Sequence, residues 1–456
     1  MSAHTLVEAI QQHSSSGTSI EPASTPVPMW MGSHGGWQLM LHGNAFVANT
    51  QQQADSPRNR DAFFSTNWFM PMAQHTLGSR GQITFRTMLS FEPATITNRM
   101  YPELFQQGET AYGAPIVDGQ HPHDFFMEVA ALYDLKLSDH ALLSFYAAPV
   151  GDPAIGPTAY PHRLSASEDP IAALGHHQMD STHIAFSVLT GGFTYRWARL
   201  ELSGFHGAEP TEDRWHFAPS PNGHAIDSVS TRLTISPTPD WSGQYSVAHI
   251  VSPEALYPHE DQQRQTASVM YHHTFKSKPM PPMNMPMKMD NMADMPGMDM
   301  GGSSPSQAKS KSSQARSSNS MSMTQMTPEP ITDLSTTLVW GRTRSLSDNS
   351  KENSYLAEAL LRFASRNYVW TRMENAGRSN ELELTPGSQL PPGFEESPIG
   401  HVAAYTFGYD HDFPLGAHLL VAPGAQFTVY RTPAALRSIY GDTPTAEQFF
   451  IRFRVR

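Results

Sequence analysis

Cysteine is absent from the 456 residues, which excludes disulfides, thiolate-bound zinc, iron–sulfur clusters and a cysteine nucleophile. Charge is scarce at 16 % of residues, and what there is leans acidic: 42 Asp and Glu against 30 Lys and Arg, a net charge of −12. A chain so poor in basic residues lacks the positive stripe of a general nucleic-acid binder. No apolar run approaches the roughly 20 residues of a membrane-spanning helix. No G-x-G-x-x-G, phosphate loop, G-x-S-x-G or zincin motif is found. One membrane solution survives these absences. A transmembrane β-barrel crosses with strands of about 10 residues that alternate apolar and polar, so its composition resembles that of a soluble protein.

Period-two alternation is what the chain has in quantity. In 82–91, Ile83, Phe85, Thr87, Leu89 and Phe91 share one face, and Gln82, Thr84, Arg86, Met88 and Ser90 the other. Val229, Thr231, Leu233 and Ile235 alternate with Ser230, Arg232 and Thr234. Phe449, Ile451, Phe453 and Val455 alternate with Phe450, Arg452, Arg454 and Arg456. One face of each segment suits oil and the other water. About sixteen such segments are expected: 37–49, 64–76, 81–92, 124–137, 140–149, 182–190, 193–206, 226–236, 241–252, 263–275, 335–346, 353–364, 366–376, 400–412, 417–431 and 447–456. Trp37, Trp68, Tyr133, Trp197, Trp215, Trp241 and Trp370 fall near segment ends, as interfacial girdles would. A soluble sandwich or propeller is the competing architecture, but no repeat period supports a propeller.

The connections alternate in length. Short links are Leu77 to Arg80, Ser138–Asp139, Gly191–Gly192, Pro237 to Asp240, Ser365 and Phe413 to Gly416; long ones are 93–123, 150–181, 207–225 and 377–399. Short turns at one end and long loops at the other describe an up-and-down outer-membrane barrel. The expected fold is therefore all-β: a single antiparallel transmembrane β-barrel of about 16 strands over 36–456. Residues 1–35, polar and rich in Ser and Pro, are expected to be a disordered arm in which no export signal is visible.

A low-complexity insert, 276–334, falls on the short-turn side. It carries Met280, Met283, Met285, Met287, Met289, Met292, Met295, Met298 and Met300, then Met321, Met323 and Met326, half of the chain's 24 methionines. Its Pro, Gly, Ser and Lys neighbours can build no core, so burial does not explain the bias. Neutral thioethers are ligands for Cu(I) or Ag(I). Asp290, Asp294 and Asp299 add harder donors. A biased linker without function is the plainer alternative.

Histidine and carboxylate cluster at the long-loop end. Gly119 to Met127 holds His121, His123 and Asp124; Gly175 to His183 holds His176, His177, Asp180 and His183. Tyr160 to Arg163, Glu209, Glu212 to His216 and Tyr257 to Asp261 belong to the same end. These residue types suit Cu(II), Zn(II) or Ni(II), or equally brace loops by hydrogen bonds and ion pairs. On a strand His176 and His177 would point to opposite faces, so only one is expected to share a site with Asp180 or His183. Ser181, beside Asp180 and His183, raises a hydrolase as a minor alternative.

The runs GQHPHDFFMEVAALY, PVGDPAIGPTAYPHR, LGHHQMDSTHIAF and GAEPTEDRW resemble a family of Gram-negative outer-membrane β-barrels that often accompany heavy-metal resistance genes. The methionine tract is similar in kind to the Met-rich segment of copper-resistance protein B. The resemblance implies an outer-membrane barrel; the methionine tract and the His/Asp clusters add the expectation that it handles copper or a related soft metal by binding, efflux support or permeation, without enzymatic chemistry. Its partners would be membrane lipid, metal ions or small solutes, and periplasmic metal-handling proteins. A general porin is the alternative.

Overall fold

The computed structural model describes residues 3–55, 57–180, 184–275 and 331–456. Sixteen antiparallel strands close into one ring: β1 (Trp37–Gln53), β2 (Arg60–Leu77), β3 (Gly81–Leu89), β4 (Phe126–Ser138), β5 (Ala141–Gly151), β6 (Ala185–Tyr195), β7 (Ala198–His206), β8 (Ser228–Ile235), β9 (Trp241–Ile250), β10 (Gln262–Phe275), β11 (Thr332–Ser345), β12 (Lys351–Phe363), β13 (Asn367–Ser379), β14 (Pro398–His411), β15 (Leu419–Arg431) and β16 (Thr445–Val455). Each pairs with its chain neighbours, and β16 closes on β1 from Asn44↔Arg454 to Gln53↔Thr445. A closed ring leaves no edge, the condition for strands in lipid. A short strand, Trp30–His34, folds back on the start of β1.

The alternation read from sequence is the inside–outside alternation of the wall. Phe449 and Ile451 stand outward and exposed, while Arg452 and Arg454 point inward and are buried. Val229 and Leu233 face out; Ser230 and Arg232 face in. Every strand but β1 presents at least one large exposed apolar side chain, among them Phe85, Phe145, Leu202, Leu338 and Phe407. The apolar belt thus lies on the outside and the polar network inside, the reverse of a soluble sandwich.

Two placements differ from the sequence expectation. Gly191 and Gly192 lie within β6, paired with Leu202 and Glu201, and the turn is Arg196–Trp197, with Arg196 at φ 54°. A Gly-Gly pair normally signals a turn; here a Cβ on Gly192 would come within 3.2 Å of the Arg199 side chain. Trp68 and Trp370 are not girdle residues. Both point inward and are buried, packing on lumenal aromatic side chains.

The lumen is plugged. Residues 152–180, between β5 and β6, turn inward and are almost wholly buried. Wall arginines and acids hold them from several sides. Arg163 pairs with Glu358 of β12 at 2.8 Å, and Asp169 with Arg372 of β13 at 3.0 Å. Glu168 meets Arg452 and Arg454 of β16 at 2.6 and 2.5 Å. Arg378 donates to the Leu174 carbonyl and Arg232 to that of Gly156.

The N-terminal arm also departs from the disordered segment expected. It follows the inner wall, where Leu6–Gln12 forms a helix capped by Thr5, and Leu6, Val7 and Ile10 pack on Leu142. Arg86 of β3, paired with Glu128 of β4, donates to the carbonyls of His13, Ser15 and Gly17. A polar segment suits this place because its surroundings are the polar lumen rather than water. The methionine tract lies outside the described residues. The strands that flank it, β10 and β11, end and begin at the short-turn end, where Ile331 N–H donates to Ser365 Oγ.

Candidate metal centre

At the long-loop end, residues 90–125 form an inward fold stapled by two small pairs of strands, Tyr101–Pro102 with Gly119–Gln120 and Thr110–Ala111 with Ala114–Pro115. The first pair leads directly into His121, and the second is preceded by Glu109. The plug loop adds a one-turn helix, His176–Met179. The coordinating atoms of His121, His176 and His177 lie within 4.8 Å of one another.

Helical backbone is what lets both adjacent histidines take part. Neighbours on a helix diverge by about 100° rather than the 180° of a strand, and the rings of His176 and His177 meet edge-to-face with centroids 3.9 Å apart. The divergence of His176 and His177 to opposite faces assumed a strand; on the helix both rings instead lie beside His121, while Asp180 pairs with Arg163 and His183 lies outside the described residues. Glu109 joins the group: its Oε1 lies 3.1 Å from His121 Nε2 and 4.0 Å from His177 Nε2. The Nδ1 atoms of His121 and His176 lie 2.8 and 2.9 Å from the carbonyls of Pro122 and Ala173. A proton on Nδ1 satisfies those carbonyls and turns the Nε2 lone pair away from them, the arrangement metal-binding histidines use. Burial holds His177 down to about 3 against the pull of Glu109, so its imidazole is neutral. Three imidazoles and a carboxylate form a borderline donor set suited to Cu(II), Zn(II) or Ni(II). A tetrahedral ion needs donors about 3.4 Å apart, so binding requires only a modest contraction of the group.

The other residues singled out in the sequence serve as braces. His123 Nδ1 pairs with Glu92 at 2.9 Å, Asp124 with Arg214 at 3.0 Å, and Asp180 with Arg163 at 2.8 Å. Arg214 also reaches Glu109 at 3.6 Å. His183 and Ser181 lie outside the described residues, as do Met280, Met283, Met285, Met287, Met289, Met292, Met295, Met298 and Met300. Glu109 carries no sequence signal of its own; only the fold of 90–125 brings it beside His121.

A cavity of about 90 Å³ adjoins the group, lined by His177, Glu209, Glu254, Glu260, Glu352 and Glu396, with Arg264 in its wall. Burial above all, with Glu352 and Glu260 adding to it, pushes the Glu254 carboxyl up to about 7. Carboxylates crowded in this way favour a cation among them.

No protein-family model matches the chain, and no curated protein sequence does. Solved structures similar to it are outer-membrane barrels. They include an anion-selective porin from Comamonas acidovorans, at 10 % identity, TM-score 0.48, covering 92 % of this chain and 99 % of that one. OmpF of Salmonella typhi gives 8 % identity and TM-score 0.47 over 93 % and 100 %. OmpT, an outer membrane protein of Vibrio cholerae, gives 6 % and 0.45 over 93 % and 99 %.

Proposed function

We propose that this chain is an outer-membrane β-barrel protein of a Gram-negative bacterium that binds and handles copper, or a related transition metal, rather than admitting solutes through an open pore. The observation that carries the proposal is the gathering of His121, His176, His177 and Glu109 beside an acidic cavity at one end of a plugged lumen. The acidic cavity concentrates cations, and the imidazoles supply donors that select a borderline metal over calcium or magnesium. The plug argues against a general porin, whose lumen is a water-filled channel. The exterior apolar belt supports residence in lipid, and the outer membrane is where closed barrels of this type reside. The methionine tract, which follows β10 in the sequence, fits capture of Cu(I), with periplasmic metal carriers as its exchange partners. No covalent chemistry is required.

Electron paramagnetic resonance of Cu(II) added to the full-length protein folded in detergent tests this. One tightly held equivalent with nitrogen hyperfine structure from more than one imidazole is expected, and His121→Gln with His177→Gln should abolish that signal. An unchanged spectrum in the double variant would overturn the assignment.

A further inference from the structure

Several buried apolar clusters interrupt the polar inner wall of this barrel, and one of them is built largely of methionine. On β1 to β4 the inward positions include Met40, Met70, Met72, Met88 and Met127, all buried. Met40 stands opposite Met72 across the β1–β2 ladder, and His42 stands opposite Met70 two residues on, so all four share one face. The plug loop places His162 against them. Its Nε2 lies 3.1 Å from Met88 Sδ, and its ring centroid lies 4.3 Å from that of Trp68 and 5.8 Å from that of His42.

Methionine alone would pass as adaptable core filling. The two imidazoles do not fit that account. His42 and His162 are 8 % and 9 % exposed, neither is paired with a carboxylate, and the Nδ1 atom of each lacks a hydrogen-bond partner. A buried neutral imidazole nitrogen without a hydrogen-bond partner keeps a lone pair that an ion or a water can take. Neutral thioethers and neutral imidazoles bring no charge to offset a divalent ion, but they are the ligands a soft monovalent d¹⁰ ion prefers.

We propose that Met88 and His162, with His42 and the adjacent methionines, form a buried site for Cu(I) or Ag(I) inside the barrel. A small cavity lined by Met88, Met127 and His162 also touches His123, His176, Asp152 and Asp180, the last of which is paired with Arg163. The soft site is therefore next inward from the histidine centre, and no change of oxidation state is invoked. The inference rests on the barrel being a metal-handling protein, yet the two fail separately.

The test uses full-length protein carrying ¹³C-methyl methionine, folded in micelles, with Ag(I) as a diamagnetic probe supplied after folding or during it. Met88→Leu, close in volume, assigns the Met88 methyl. Ag(I) should shift that resonance, and His162→Gln should remove the shift while far-UV circular dichroism stays that of the barrel. Met127→Leu and Met70→Leu report on the same site if His162→Gln does not fold. A Met88 methyl that stays in place under both protocols, while other methionine methyls move, overturns the soft site; Cu(II) binding abolished by His121→Gln would then still stand. Conversely, a Met88 shift without Cu(II) at the histidine centre removes the Cu(II) assignment and keeps this one.

Discussion

Arg163 of the plug loop and Glu358 of β12 meet at 2.8 Å with both side chains sealed from solvent. Arg163 also binds Asp180 at 2.8 Å within its own loop, and Glu358 is shared with Arg372 of β13 at 3.1 Å. One arginine thus ties the fold of the plug to its attachment on the wall. A buried ion pair adds little net stability when formed, but removing one partner strands the other, at a cost of about 3–5 kcal/mol.

Glu358→Ala should therefore loosen the plug without opening the ring, whose strands are held by the ladder. In planar bilayers the variant is expected to conduct more, and more noisily, than the parent chain. Residues 152–180 should also become accessible to added protease. Equal conductance and equal protection would mean that the pair does not latch the plug.

The histidines near the loop mouth divide into ligands and braces. His176→Gln should lower Cu(II) affinity by about tenfold or more. His123→Gln, which removes the partner of Glu92, should lower thermal stability while leaving copper affinity close to that of the parent. Isothermal titration of both variants with Cu(II) separates the roles, and equal losses would dissolve the distinction.

Asp152, just after β5, lies against Ser16 and Gly17 of the arm, and burial, reinforced by Glu128, pushes its carboxyl up to about 8. The folded chain therefore holds a proton there that the unfolded chain releases near 4. Stability from this group is complete below about pH 4 and falls as pH rises toward 8. The urea midpoint in micelles should drop between pH 5 and pH 8, and Asp152→Asn should flatten that dependence. A parent chain more stable at pH 8 than at pH 5, with no change on substitution, would contradict the assignment.

The methionine tract makes a separate prediction. A chain lacking 279–327 should bind fewer equivalents of Cu(I) than the full chain while retaining the Cu(II) signal of the histidine centre. Equal Cu(I) stoichiometry would remove the tract from copper capture.

The wall was legible in the sequence because lipid and lumen impose opposite chemistry on alternate residues, so Phe449, Ile451 and Arg452 declare their sides directly. The plug was not. Residues 150–181 read as an outer loop, because a segment that lines a polar lumen has the composition of one that faces water. What turns it inward is complementarity between Arg163, Glu168 and Asp169 and wall residues 195 or more positions away, such as Glu358, Arg372 and Arg452. No spacing rule reaches that far. The same holds for the centre: His121, His176 and His177 were visible as metal-type residues, but Glu109 was not, and the pairing of adjacent histidines depended on one helical turn that four residues do not announce. Met88 and His162 were hidden because a methionine on a strand and a histidine in a loop are unremarkable until the plug brings them together.

Crystals of the full-length protein grown with Cu(II) and measured on both sides of the copper absorption edge give the most direct test. The expected result is an anomalous peak about 2 Å from nitrogens of His121, His176 and His177, with Glu109 turned toward it. A map with no peak there, or with copper bound only at surface histidines such as His216, would contradict the assignment of this barrel to metal handling.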